Sequence, residues 1–205
     1  MLNPQATEEW KAGRRGRLTA SRFGDVIAGE NTKRRQDYIQ EVVWELLGVP
    51  DFDDDDKPWF RHGIEWEDEA RGRYEWETDN DVELVGSINH PSLPFVSCSP
   101  DGLVTDEGGI EIKCRKSLRQ HLKVKDKGPD SVYLPQVQGN LWITDRAWWD
   151  FVSYYKNPMT RETDIAIFRI YPDEVMFKRL DAACRKMWDE IQSHLERSKS
   201  AIRIR

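Results

Sequence analysis

The sequence has few cysteines, no long apolar run and no excess of positive charge. Its three cysteines, Cys98, Cys114 and Cys184, are widely spaced, which excludes a disulfide framework and a paired zinc-ligand motif. We expect them to be buried free thiols. No apolar stretch is long enough to span a bilayer, and residues 1–4 lack the layout of a signal peptide. We therefore expect a cytoplasmic protein without a membrane partner.

The net charge of −6 argues at first against a nucleic-acid partner, because nucleic acids usually attract basic domains. The charges are unevenly distributed, however. Acidic residues concentrate in 51–56 and 65–83, whereas basic residues concentrate in 14–22 and 113–127. A nuclease also gathers carboxylates around its metal ions, and these do not oppose DNA binding. The charge balance weakens the DNA-binding interpretation without excluding it.

The length and patterning of the chain indicate a single domain over residues 1–205. Of the 205 residues, 38% are hydrophobic, which is enough for a core around a central sheet. No internal repeat, low-complexity segment or linker divides the chain. Periodicity and capping signals predict helices over 10–17, 19–29, 37–47, 59–76 and 135–144, and a last helix from Pro172 with Val175 on its apolar face. Strand patterns begin at 82–85 and recur over 95–98, 109–113, 148–155 and 165–170.

The clearest candidate site combines two acids and a lysine. Glu111 and Lys113 are two residues apart in a predicted strand, so their side chains project to one face while Ile112 faces the core. Asp101 follows the preceding predicted strand and can meet them across a hairpin that turns at 106–109. Two carboxylates can hold Mg²⁺, and a lysine can orient or deprotonate the attacking water or stabilise charge on phosphorus. The pattern predicts phosphodiester hydrolysis.

The same residues also have a purely structural interpretation. Asp-Gly is a common turn, a Glu-x-Lys pair often lies on a solvated strand face, and charged residues make up 33% of the chain. Two details favour chemistry. The pair of charges lies inside an otherwise apolar strand after Gly108 and Gly109, and Asp101 lies at a strand end, where sites are usually built.

Segments around these residues resemble the lambda exonuclease (YqaJ-like viral recombinase) family of the PD-(D/E)xK nucleases. The core of the resemblance is Cys98 to Leu103 followed by Gly109 to Cys114. Three further segments match in the right order, namely Trp10 to Ser21, His62 to Arg71, and Gln136 to Trp142. Four ordered motifs are far more specific than any one of them, and together they span most of the chain.

The resemblance implies a fold and a metal site. The fold is α/β, a PD-(D/E)xK nuclease core with a mixed sheet of about five strands flanked by helices. Asp101, Glu111 and the backbone carbonyl of Ile112 would be metal ligands, and Glu67 would reach the metal from a helix. The metal would be Mg²⁺, with Mn²⁺ possible, and two ions would bind per site. Taken without the resemblance, Glu67 belongs to a charged helix whose default is a solvated face.

The resemblance also implies roles for three residues outside that metal site. Gln136 would position the attacking water or Lys113, and Arg14 and Ser21 would bind the 5′-terminal phosphate of DNA, which suits a guanidinium and a hydroxyl. Each has a plainer interpretation. Gln136, like Gln138, can simply face solvent, Arg14 can belong to a general basic patch, and Ser21 can be a helix cap.

The function implied is a Mg²⁺-dependent 5′-to-3′ exonuclease on double-stranded DNA ends. It would leave 3′ single-stranded overhangs for recombination by annealing, act as a ring-shaped homotrimer, and work with a single-strand annealing protein. The resemblance also implies a phage or prophage protein in the cytoplasm of a bacterial host cell. A ring would reconcile the acidic net charge with DNA binding, since lysine and arginine can line its channel.

Three alternatives stay open. An endonuclease of the same superfamily would cut closed circular DNA, whereas an exonuclease needs an end. A Cas4-like nuclease with an iron–sulfur cluster needs four cysteines, and the chain has three. A catalytically inactive DNA-end-binding module has no physical reason to keep buried charges together. No role is predicted for residues 115–127 or 51–57.

Overall fold

The computed structural model describes residues 7–49 and 58–203, with the backbone alone described for 58–65 and 202–203. In these residues the helices are α1 (Glu8–Arg14), α2 (Phe23–Val26), α3 (Lys33–Leu46), α4 (Pro58–Thr78), α5 (Leu118–Lys127), α6 (Leu134–Thr144) and α7 (Glu174–Arg203). The strands are β1 (Leu18–Thr19), β2 (Val82–Glu83), β3 (Ile88–Asn89), β4 (Val96–Cys98), β5 (Gly102–Val104), β6 (Gly108–Arg115), β7 (Trp148–Lys156) and β8 (Thr163–Ile170). The acidic loop at 51–57 lies outside the described residues.

The centre of the fold is a five-stranded mixed sheet in the order β2-β5-β6-β7-β8. β6 and β7 are parallel, with Glu111 opposite Phe151 and Lys113 opposite Ser153. The other neighbouring strands are antiparallel. Three short strands form a second sheet in the order β1-β4-β3. The predicted α/β class and the mixed sheet of five strands are confirmed.

Helices cover both faces of the five-stranded sheet, and this decides which way β6 presents its side chains. On one face, Tyr74 of α4 shares a hydrophobic cluster with Ile112. On the other, Leu141 of α6 shares a cluster with Phe151 of β7. Alternate residues of a strand point to opposite faces. Ile112 therefore faces the hydrophobic core, as predicted, on the side of α4. Glu111 and Lys113 face the α5 and α6 side.

The last helix, α7, packs its apolar face against α2, α3 and α6. Leu180, Cys184, Met187 and Ile191 are fully buried there, as the periodicity predicts. The predicted start of this helix is wrong. The helix begins at Glu174, because the Asp173 carboxylate accepts hydrogen bonds from the first free amide groups, so Pro172 lies before the helix. Val175, predicted on the apolar face, is 78% exposed.

The predicted hairpin around the site differs from the structure in two ways. The strand that pairs with β6 is β5, not β4, and Asp101 lies just before it. A three-residue strand directly after a turn sequence leaves too short a pattern to recognise. Gly108, predicted in the turn, belongs to β6, as does Gly109, which was predicted at the end of the turn and the start of the strand. A Cβ atom on Gly109 would lie 2.4 Å from the ring of Trp149 in β7, so the strand pairing requires glycine there.

Two shorter features of the chain also correct the sequence analysis. Helix α5 was not predicted, because only His121 and Val124 in it are buried and the rest of its surface is charged or exposed. The predicted second helix ends at Val26 and not near Gly29. The cysteines are free, with Cys98 and Cys184 buried and Cys114 partly buried, as expected. Among the described helices, none combines the length and apolarity needed to cross a membrane.

A buried carboxylate ties α4 to the sheet. Asp150 of β7 is 1% exposed and accepts a hydrogen bond of 2.7 Å from the hydroxyl of Tyr74. Arg169 of β8 donates to both of its oxygens at 2.9 Å, and this guanidinium lies 3.6 Å from the ring centre of Trp148. The packing of α4 on the sheet therefore depends on the Asp150 carboxylate, which bonds Tyr74 of α4 and Arg169 of β8.

We expect Asp150→Ala to lower the free energy of unfolding by about 3 kcal/mol, because it leaves the buried Tyr74 hydroxyl and the Arg169 guanidinium without an acceptor. This loss of about 3 kcal/mol is at the low end of the range for breaking a buried ion pair, because the side chain of Arg169 is 42% exposed and water screens its charge. Tyr74→Phe is the matched control and should cost about 1 kcal/mol. Urea denaturation followed by circular dichroism measures both, and equal losses in the two variants would contradict this account.

Candidate active site

Glu111 and Lys113 form the centre of the site. Glu111 is 1% exposed, and its Oε1 atom accepts a hydrogen bond of 2.5 Å from Nζ of Lys113. Its other oxygen, Oε2, accepts one of 3.2 Å from Nδ2 of Asn140 on α6. Burial lowers the pKa of Lys113, but the negative charges of Glu111 and Asp101 outweigh burial and raise it. The lysine is therefore held as a cation beside a buried carboxylate.

Asp101 lies directly before β5, where its Oδ2 atom accepts a hydrogen bond of 2.6 Å from the amide of Ile112. Burial raises the pKa of this carboxyl group well above its ordinary value, and the charges of Glu111 and Glu67 raise it further. Lys113 and the bond from Ile112 act in the opposite direction without cancelling the rise. The site thus gathers more negative charge than its own cation neutralises.

The backbone of Ile112 offers a further oxygen at the same place. Its amide points at Asp101, and in an extended strand the amide and the carbonyl of one residue face the same edge. The carbonyl oxygen of Ile112 consequently faces the edge on which Asp101 lies. The pairing of β5 with β6 thus brings the Asp101 carboxylate and the Ile112 carbonyl oxygen to the same edge.

Glu67 approaches this group from α4, the helix on the other side of β6. Its side chain is half-buried, and Oε1 accepts a hydrogen bond of 3.2 Å from Arg71. Burial raises the pKa of Glu67, Arg71 lowers it, and the charge of Glu111 raises it. The carboxyl group therefore lies close enough to interact electrostatically with the site. His62, from the same motif, has a side chain outside the described residues.

The donor atoms at the site fit a hard divalent cation. Among the described residues, no three His, Cys, Asp or Glu side chains are arranged as a ready-made metal site. Two carboxylates, from Asp101 and Glu111, and the carbonyl of Ile112 are nevertheless all oxygen donors with surplus negative charge. Mg²⁺ is usually bound through one or two carboxylates while it keeps several waters. The residues present therefore suit Mg²⁺ or Mn²⁺.

A second polar cluster lies beside the carboxylates. Arg14, at the end of α1, donates hydrogen bonds of 3.1 Å to Oγ of Ser99 and 3.4 Å to Oγ of Ser21. The indole of Trp10 also donates to Ser99, at 3.0 Å, and the guanidinium lies 4.7 Å from the Trp10 ring centre. The structure thus brings Arg14 and Ser21 together.

Sequence reasoning missed Ser99, although it lies only two residues before Asp101. The spacing alone did not reveal a role, because the partners of Ser99 come from α1, far away in the sequence. The cap interpretation of Ser21 is wrong. This residue lies inside a short 3₁₀ turn, Ala20–Arg22, for which the structure records no side-chain cap. Its hydroxyl instead lies 3.3 Å from that of Thr19.

The glutamine helix α6 contributes differently from what its motif suggests. Gln136 is half-buried in the first turn, and its side chain makes no hydrogen bond with the described residues, so its role stays a prediction. Gln138 is buried and bonds the backbone of Tyr171 and Asp173 at 2.9 Å each, so its solvent-facing interpretation is wrong. Asn140, which holds Glu111, was missed. Its position four residues after Gln136 was the available signal, since such residues share a helix face.

The sheet order, the flanking helices and the carboxylates just before β5 and within β6 define a PD-(D/E)xK nuclease fold. Residues 9–147 match the model of the YqaJ-like viral recombinase domain. Because the match covers most of the chain, this protein belongs to the YqaJ-like viral recombinase family, and the resemblance to the lambda exonuclease type is confirmed.

Solved structures agree with this assignment. An alkaline exonuclease, LHK-Exo, from Laribacter hongkongensis is 33% identical, covers 97% of this chain and 100% of its own, and superposes with a TM-score of 0.84. The structure of LHK-Exo in complex with dAMP matches equally well. A phage related exonuclease from Haemophilus somnus 129PT, at 16% identity, TM-score 0.63 and coverage of 87% and 96%, shares the fold. No curated protein sequence matches the chain.

We expect Asn140→Leu to weaken Mn²⁺ binding by about 10- to 100-fold, because residues that orient a metal-binding carboxylate typically have an effect of this size. Asp101→Asn should weaken it further by removing a ligand charge. Thr144→Val is the matched control, since Thr144 bonds the backbone of Asn140 at 2.7 Å without touching Glu111. Calorimetric titration of the folded variants measures the effect, and wild-type affinity in Asn140→Leu would refute the role given to Asn140.

Proposed function

We propose that this protein is a Mg²⁺-dependent exonuclease that degrades the 5′-ended strand of double-stranded DNA ends. The observation that carries the proposal is the position of Ser99. Its hydroxyl bonds Arg14, while Asp101 follows only two residues later. A cluster suited to a terminal phosphate therefore lies next to carboxylates suited to a metal. The similarity to a protein described as an alkaline exonuclease supports nuclease activity on DNA.

In this proposal the residues of β5 and β6 bind the metal and organise the attacking water. Asp101, Glu111 and the carbonyl of Ile112 hold the cation, and Glu67 reaches it from α4. Two Mg²⁺ or Mn²⁺ ions per site would lower the pKa of bound water and polarise the phosphate. Lys113, which bonds Glu111, orients that water or stabilises charge on the phosphorus.

Residues of α6 support this chemistry from the side. Gln136 positions the water or Lys113, and its side-chain amide bonds none of the described residues. Asn140 bonds Oε2 of Glu111. It therefore keeps the Glu111 carboxylate in one orientation even when Lys113 no longer bonds Oε1. A site built on a strand and a helix is held more precisely than one built on loops.

The 5′-terminal phosphate would occupy the cluster around Arg14. A guanidinium presents several donors in a fixed plane, which matches the oxygens of a phosphate, and the hydroxyls of Ser21 and Ser99 add two more donors. The Trp10 ring beneath the guanidinium fixes its position. An endonuclease needs no such cluster, and an inactive end-binding module needs no buried Glu111, so both alternatives explain less.

The same proposal includes the assembly and the biological setting. The exonuclease would act as a ring-shaped homotrimer, leave 3′ overhangs, and hand them to a single-strand annealing protein in the cytoplasm of a bacterial host. These parts rest on family membership. A ring in which basic residues face an internal channel would reconcile the net charge of −6 with DNA binding.

The direct test is digestion of a linear duplex that carries a 5′-phosphate on one end and a 5′-hydroxyl on the other. We expect Mg²⁺-dependent loss of the phosphorylated strand, an intact closed circular DNA in the parallel reaction, and no activity in Asp101→Ala. Strand-specific labels read out by gel electrophoresis separate these outcomes. Nicking of the circle would assign an endonuclease, and the absence of any Mg²⁺-dependent digestion would reject the enzyme.

The phosphate cluster makes a separate prediction. We expect Arg14→Gln to lower kcat/KM by about 10- to 100-fold on 5′-phosphorylated ends, because hydrogen bonds to a charged group are lost, and to have little effect on 5′-hydroxyl ends. Arg15→Gln is the charge-matched control, since Arg15 is the exposed neighbour. If both variants lose activity equally on both kinds of end, Arg14 belongs to a general basic patch.

A further inference from the structure

Strand β6 carries a second cation, Arg115, on the face of Glu111 and Lys113. Arg115 follows Lys113 by two residues, so it projects to the same side. Its Nε donates a hydrogen bond of 3.3 Å to Oγ of Ser153, and its Nη1 donates one of 3.2 Å to the hydroxyl of Tyr133. These partners hold the guanidinium, but neither of them carries a charge.

Among the other arginines of the described chain, Arg22, Arg35, Arg71 and Arg169 each form an ion pair with a carboxylate. The half-buried Arg17 and Arg146 instead donate to backbone carbonyl oxygens. Arg115 forms no ion pair within the described residues, and its Nη2 atom is buried without a hydrogen-bond partner. A buried donor without an acceptor is unfavourable and uncommon in native proteins. A role limited to supporting the sheet does not explain why one donor atom of this guanidinium is buried without an acceptor.

The groups around Arg115 fix its position. The guanidinium carbon lies 5.1 Å from the ring centre of Tyr133, and Nζ of Lys113 lies 5.4 Å from the same ring centre. Ser153 is fully buried, and its Oγ is 3.0 Å from Nδ1 of His121, whose Nε2 is 3.3 Å from Asp164. Strand β7, helix α5 and the 3₁₀ turn before α6 therefore all contribute to holding one side chain.

We propose that Arg115 binds a backbone phosphate of the DNA strand being cut, next to the scissile phosphate near Lys113. This inference rests on the proposed function in that it takes DNA as the substrate. Residues i and i+2 of a strand are about 6.6 Å apart, so the two cations can contact successive phosphates. The phosphate supplies the ion-pair partner that the described residues do not, and it can accept from the guanidinium N–H groups that Ser153 and Tyr133 leave free. Arg115 is half-buried, so part of it is open to solvent.

The test measures DNA binding without cleavage. Wild type, Arg115→Gln and Arg115→Lys are titrated with a 5′-phosphorylated duplex by fluorescence anisotropy, in EDTA and over a range of KCl concentrations. Arg115→Gln should weaken binding about tenfold or more and reduce the slope of log Kd against log salt by about 1. Arg115→Lys should keep the slope and still bind more weakly, because lysine keeps the charge and loses the planar fork.

Arg185→Gln is the charge-matched control. Arg185 is an exposed residue of α7 that pairs with Asp181, and its loss should change neither the affinity nor the slope. Wild-type affinity and slope in Arg115→Gln would overturn the inference. Should that variant fail to fold, Arg115→Lys decides, since a purely structural role predicts wild-type binding for it.

The outcomes also separate this inference from the proposed function. A reduced slope for Arg115→Gln in a protein whose wild type digests no DNA would keep the phosphate contact and reject the nuclease. Normal digestion by the wild type together with an unchanged slope for Arg115→Gln would keep the nuclease and reject the contact.

Discussion

Glu111 is a carboxylate buried in the middle of a sheet, where an isolated charge would be very unfavourable. The buried charge is stabilised by two hydrogen bonds, one from Lys113 to Oε1 and one from Asn140 to Oε2. These two partners come from different elements, so they hold α6 against β6 as well as the carboxylate. Asp101 and Glu67 then add more negative charge to the same region, and the pKa of Asp101 is raised first by burial and then by this repulsion. The geometry of the site follows from this arrangement, because a bound cation would relieve a repulsion that the protein alone leaves in place.

The alternation of β6 made this centre predictable from the sequence. Two charged residues at a spacing of two, inside an apolar strand, can only share a face, and the structure places Glu111 and Lys113 accordingly. The long strands β7 and β8 and the long helices α3 and α7 were predictable for the same reason, since their periodic patterns extend over many residues. Their ends were less predictable, because a cap such as Asp173 decides the boundary through local hydrogen bonds.

The features that the sequence did not predict depend on contacts between distant segments. Ser99 and Asn140 are ordinary polar residues until α1 lies beside Ser99 and β6 lies beside Asn140. Strand β5 is too short for a pattern, and α5 has too few buried residues. The basic segment containing α5 also looks more positive in the sequence than in the structure, because Lys123 and Lys125 are paired with Asp130 and Asp164.

The contact between the start of β6 and the start of β7 has a consequence for how these positions can change. Gly108 lies opposite Trp148 and Gly109 opposite Trp149, and in each case the indole ring occupies the space that a Cβ atom would need. A side chain at position 108 or 109 would therefore overlap the tryptophan opposite it. A larger residue at either glycine is tolerable only if a smaller residue replaces its partner tryptophan, so each of these two pairs has to change together.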